Sequence, residues 1–123
     1  MSNGTDLQEI QAEINRLVAT PQSNRDLLVK LGESDGALFA TPTDKRKRGL
    51  GFLRNAIDRV KTTICSNKFA RANGEDVSMQ RKALAIAALL DFLGTKGAAT
   101  ASVLIIQIGL ENVCAGSWEQ HVG

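Results

Sequence analysis

The sequence predicts an all-α fold, a single-domain bundle of about five helices that ends in an apolar helical hairpin. Three observations lead to this prediction. Apolar residues recur at helical spacings of three and four, helix start and stop residues bracket these stretches, and no segment competes well as a strand. The 123 residues fit one domain, with residues 1–4 and 117–123 expected to be flexible tails.

The first two predicted helices are short. The first covers residues 6–18 and presents four apolar residues at helical spacing: Leu7, Ile10, Ile14 and Leu17. Pro21 stops this helix, and Ser23 is placed to start the second one. Gly32 is placed to end the second helix, and residues 33–43 are expected to form a loop.

The third predicted helix carries the clearest periodic signal in the chain. Thr41 can cap it, Pro42 suits its first turn, and it is expected to run to about Asn67. Its apolar residues form a heptad-like seam: Leu50, Leu53, Ile57, Val60 and Ile64. Gly49 and Gly51 weaken the first half, so the basic stretch before them is expected to be a looser lead-in.

Two apolar helices are predicted over residues 77–93 and 99–114, separated by a glycine-bounded turn. Both are apolar around more of their circumference than a surface helix of a small monomer needs. They either form the central hairpin of the bundle or leave one face free to dock on another subunit. The pair superficially resembles a helix-turn-helix, but its second helix offers the apolar run 103–106 where base-reading side chains would be needed.

Composition and spacing argue against several classes of protein. No run of about 20 nearly unbroken apolar residues exists to span a membrane, and no signal peptide is visible, so a cytoplasmic location is expected. Cys65 and Cys114 have no Cys or His at metal-ligand spacing. They are expected to be buried, reduced thiols.

Catalytic residues are scarce. The one histidine, His121, lies in an expected tail, and no phosphate-loop or paired-histidine pattern occurs. The sequence therefore predicts a protein that works by binding rather than catalysis, with no metal, no cofactor and no small-molecule substrate.

The charge distribution is the main functional signal. Net charge is only +2, but residues 45–82 hold eleven basic and three acidic side chains, a net charge of +8. Four of these bases recur every seven residues and form what we call the basic line: Lys47, Arg54, Lys61 and Lys68. Seven residues are nearly two helical turns, so these side chains are expected to follow one another ~10.5 Å apart. Arg46, Arg48 and Arg71 would support them.

Two interpretations of the basic line are open. It can track the phosphates of a nucleic acid, or it can be a solvated helix flank paired in part with Asp6 and Glu13 of the first helix. The leading prediction is binding of nucleic acid or another polyanionic or acidic partner without sequence-specific readout. Aromatic residues are few, which argues against a platform for single strands. The alternative is a protein–protein adaptor or self-assembling module that uses the apolar hairpin, with a homo-oligomer as one form.

Overall fold

The computed structural model describes residues 7–34, 41–66, 68–69 and 77–122, and over these ranges it contains helices and no strand. The all-α prediction is confirmed. In chain order the helices are α1 (Leu7–Ala19), α2 (Asn24–Glu33), α3 (Pro42–Ile64), α4 (Met79–Ala87), α5 (Gly94–Ile108) and α6 (Leu110–Ala115). Two 3-10 segments cover Asp91–Leu93 and Trp118–His121. The tail predicted at residues 1–4 lies outside the described residues, as does most of the predicted loop.

Two helix starts are confirmed in detail. The Ser23 side chain accepts a hydrogen bond from the Asp26 N–H at 3.1 Å, and Thr41 accepts one from the Asp44 N–H at the same distance. Both side chains satisfy a backbone donor that the first helical turn would otherwise leave unpaired. Because α3 is helical from Pro42 onward, the predicted looser lead-in before Gly49 is wrong.

The backbones of α2 and α3 touch where two glycines meet. Gly32 lies inside α2 and is buried, so the prediction that it ends the helix is wrong. A Cβ atom on Gly32 would overlap the carbonyl oxygen of Lys45, and one on Gly49 would overlap that of Leu28. These glycines therefore allow the two helices to approach more closely than any side chain would permit.

The C-terminal half divides differently from the prediction. The helix expected over 77–93 ends at Ala87, and α5 begins at Gly94 rather than at residue 99. Gly109 then separates α5 from α6, with a φ of +102° that side-chain-bearing residues rarely adopt.

Helix α5 is the centre of the bundle. Ten of its fifteen residues are buried, and α1, α2 and α4 all pack against it. Of the two interpretations of the apolar hairpin, the position of α5 therefore fits the one in which the hairpin forms the centre of the bundle. Its apolar side chains contact this chain's own helices.

The prediction of buried, reduced thiols is wrong. Cys65 and Cys114 form a disulfide, with Cα atoms 5.7 Å apart, and both residues are exposed. Cys65 lies at the C-terminal end of α3, and α6 folds back against that helix. The proximity is tertiary and spans 49 residues, so spacing in the sequence did not reveal it.

The predicted flexible tail over residues 117–123 is packed through Val122. Trp118 and Val122 are 7% and 6% exposed and belong to the hydrophobic core. The carbonyl oxygen of His121 accepts a hydrogen bond from Asn24 Nδ2 at 2.6 Å. An amphipathic 3-10 turn is too short to show a helical period, which is why the sequence did not predict this packing.

Membrane-spanning potential is confined to one bent pair. No single helix in the described part of the chain is long and apolar enough to cross a bilayer. Helix α4 and the segment Asp91–Ile108 reach that length and composition only together, across a bend of 84°.

Candidate polyanion-binding surface

Helix α3 is a rigid support with one side in the core and one in solvent. Its buried residues are Gly49, Leu53, Ala56, Ile57, Val60 and Ile64. Four members of the predicted seam are thus confirmed as core, while Leu50 is half-buried at its edge. The helix carries seven basic and two acidic side chains, a net charge of +5.

The four members of the basic line are all exposed, but only Lys47, Arg54 and Lys61 lie on α3, which ends at Ile64 and not near Asn67 as predicted. Lys47 and Lys61 lie 14 residues apart on one uninterrupted helix, which places them ~21 Å apart along its axis. Within the described residues, neither of them makes an ion pair, and the same holds for Lys68. Their charge is therefore available to a partner in solution.

Arg54 differs from the rest of the basic line because it has an acidic neighbour. Its guanidinium lies 3.0 Å from Glu119, with the two side chains 53% and 57% exposed. Exposed ion pairs of this kind contribute only ~0–1 kcal/mol, so a phosphate can replace the carboxylate at low cost. The sequence suggested that the basic line pairs in part with Glu13 of the first helix. Glu13 instead pairs with Arg16 of its own helix at 3.3 Å.

The supporting residues contribute unequally. Arg48 is exposed and Arg46 is half-buried. Lys45 pairs with Glu33 at 3.4 Å and has a side chain only 15% exposed, so it adds little to the outer charge. Arg71 lies outside the described residues.

A second surface lies on the exposed flank of α3 opposite the basic line. The guanidinium carbon of Arg59 is 5.5 Å from the ring centroid of Phe92, a cation–π geometry. Phe92 is 50% exposed, so one face of its ring is accessible to solvent. Two shallow depressions of about 360 and 340 Å³ meet at Asn55. Four of the residues that line them form what we call the Arg–Phe patch: Arg48, Phe52, Arg59 and Phe92.

The sequence analysis did not predict the Arg–Phe patch, although three of its four residues show a helical spacing. Arg48, Phe52 and Arg59 recur at spacings of four and seven, which places them on one side of a helix. Phe92 could not have been found in this way. It lies 33 residues after Arg59, at the break between α4 and α5, and only the tertiary fold brings the two together.

No protein family, curated protein or solved structure matches this chain in the comparisons made. The class that the geometry supports is an all-α domain in which one long basic helix, α3, has a side exposed to solvent. Its function is therefore argued from its own residues.

Proposed function

We propose that this protein binds nucleic acid, or a comparable polyanion, through the solvent side of α3 and without sequence-specific readout. The observation that carries the proposal is the unneutralised charge on that side. Lys47 and Lys61 are exposed and have no acidic partner among the described residues, and Arg54 has only a solvent-exposed one. Cations at regular spacing on a rigid helix displace counterions from a phosphate backbone, which favours binding.

The alternative function, an adaptor or self-assembling module, has less support. It depends on an apolar face of the C-terminal hairpin that is left for a partner. Most of α5 is buried against α1, α2 and α4 of the same chain. Over the described ranges, the large apolar side chains that remain exposed are Leu7 and Phe92, which do not form a face of that hairpin.

The location of the protein is a separate proposal. The cytoplasm was expected because no targeting segment was apparent. The Cys65–Cys114 disulfide favours an oxidising environment instead, since exposed disulfides are readily reduced in most cytoplasms. A phosphate-rich partner is compatible with either location.

Charge reversal tests the proposal. The double variant Lys47→Glu, Lys61→Glu is expected to weaken binding of duplex nucleic acid by at least tenfold at low salt, as measured by fluorescence anisotropy. Because two phosphate contacts are lost, the slope of log K against log salt should become shallower by about 2.

The matched control reverses Arg25 and Arg81, which are also exposed but lie on α2 and α4. It changes the net charge by the same amount. Binding should fall much less than in the α3 variant. Equal losses in both double variants would show that α3 acts only as a charged flank, and the proposal would fail.

The Arg–Phe patch predicts a difference between single and double strands. Phe92→Ala should weaken binding of a single strand about tenfold, because stacking of one base on an aromatic ring contributes ~1–3 kcal/mol. Duplex binding should be unchanged, since its bases are already stacked. Leu7→Ala is the matched control, because Leu7 is 51% exposed and Phe92 50%. If Leu7→Ala has the same effect, or if duplex and single strand respond alike, the patch does not stack bases.

A further inference from the structure

A cavity of about 280 Å³ opens between α1, α2 and the beginning of α5, away from the solvent side of α3. Of the three depressions on this protein named so far, it is the most enclosed. Three helices supply its polar lining. Its lining includes six polar residues: Glu13, Arg16, Lys30, Glu33, Lys96 and Thr100. Small-ligand sites typically combine such a concave shape with a few convergent polar groups.

The charges around this cavity do not cancel. Glu13 is already paired with Arg16 at 3.3 Å, and Glu33 is paired with Lys45 at 3.4 Å. Lys30 and Lys96 make no ion pair within the described part of the chain. Two uncompensated ammonium groups, from α2 and α5, therefore line the same cavity.

Thr100 supplies a hydroxyl that has no hydrogen-bond partner among the described residues. The residue is only 3% exposed, and its hydroxyl makes no hydrogen bond to any residue that the structure describes. Ser102, buried on the same helix, instead donates to the Ala99 carbonyl at 2.9 Å. Because no fully buried polar side-chain atom of the described residues lacks a partner, the Thr100 oxygen keeps some exposure, and Thr100 lines this cavity.

The beginning of α5 adds to the positive potential. This helix is 15 residues long, and Leu93, which precedes it, provides no side-chain cap. Its first turn contains Lys96 and no acidic residue. The helix dipole at this end favours a nearby anion.

We propose that this cavity binds the phosphate group of a small phosphate monoester. Lys30 and Lys96 neutralise the dianion, and the Thr100 hydroxyl donates a hydrogen bond to one of its oxygens. Glu13 and Glu33 at the cavity edge repel a second phosphate, which excludes polyphosphates and nucleic-acid backbones. Their carboxylates can instead accept hydrogen bonds from hydroxyl or amino groups on the rest of the ligand. This site is independent of the nucleic-acid surface on α3.

Inorganic phosphate is the probe, used in calorimetric titrations at constant ionic strength with chloride as the balancing anion. Saturable binding to the unmodified protein is expected at millimolar phosphate. The double variant Lys30→Gln, Lys96→Gln should bind at least tenfold more weakly. Thr100→Val should weaken binding about tenfold, as expected for the loss of a hydrogen bond to a charged group. Thr100→Ser, which keeps the hydroxyl, should largely restore it.

The matched control is Arg25→Gln, Arg81→Gln, which removes the same charge from exposed positions on α2 and α4 and should leave phosphate binding unchanged. No saturable binding to the unmodified protein would overturn the proposal. Equal weakening in the lysine and arginine double variants would do so as well, because it would reduce the effect to net charge. Nucleic-acid binding is measured separately on the same variants, so either site can fail without the other.

Discussion

Gly49→Ala is expected to lower the free energy of unfolding by about 3 kcal/mol or more, and it can abolish the stable fold. The added methyl would overlap the Leu28 carbonyl oxygen, lie 2.8 Å from the Leu28 carbonyl carbon and lie 3.2 Å from the Gly32 nitrogen. All three atoms are backbone, so no side chain can rotate away. To accommodate the methyl, α2 and α3 must separate along their contact. Urea denaturation followed by circular dichroism measures the loss.

Gly51→Ala is the matched control, two residues further along the same helix. A Cβ atom there meets nothing within 4 Å. Alanine should stabilise α3 by up to ~1 kcal/mol, because it loses less backbone entropy than glycine. Opposite signs at the two positions are the expected result. Destabilisation of similar size at both would mean that the close helix contact is not the cause.

Reduction of the Cys65–Cys114 disulfide is expected to lower the free energy of unfolding by about 4 kcal/mol. The bond closes a loop of 49 residues, and a crosslink of that span removes much of the conformational freedom of the unfolded chain. Chemical denaturation with and without reductant measures the difference. Intact mass should rise by two hydrogen atoms on reduction, which verifies that the bond was present.

The double variant Cys65→Ser, Cys114→Ser separates the bond from other effects of the reductant. It should be as unstable as the reduced protein, and reductant should not change it further. If reductant leaves the denaturation midpoint of the unmodified protein unchanged, the bond does not stabilise the fold.

Local signals predicted the first half of the fold well. The caps at Ser23 and Thr41 and the apolar spacing of α1 and α3 depend on residues only three or four apart, and they are found where expected. In the second half of the chain, the predicted helix boundaries were wrong. Gly94 and Gly109 interrupt a nearly continuous apolar stretch, and periodicity cannot locate breaks within a segment that is buried on most sides.

The role of Gly32 shows why sequence alone could not settle the rest. Near a helix end, glycine is read as a stop signal, but here it serves a tertiary contact with Lys45. The same limit applies to the candidate sites. The basic line could be read from a seven-residue repeat, whereas the Arg59–Phe92 contact and the cavity at Thr100 join residues from separate helices.

The central place of α5 has a consequence for how the chain acquires its structure during synthesis. Helices α1 and α4 precede α5 and pack against it more extensively than against any other helix, so their apolar residues lack their main partner until α5 has been made. Translation proceeds at ~5–20 residues per second, which leaves those surfaces uncovered for seconds. The contact between α2 and α3 needs no later residue, whereas the contacts with α5 form only once the last third of the sequence has emerged.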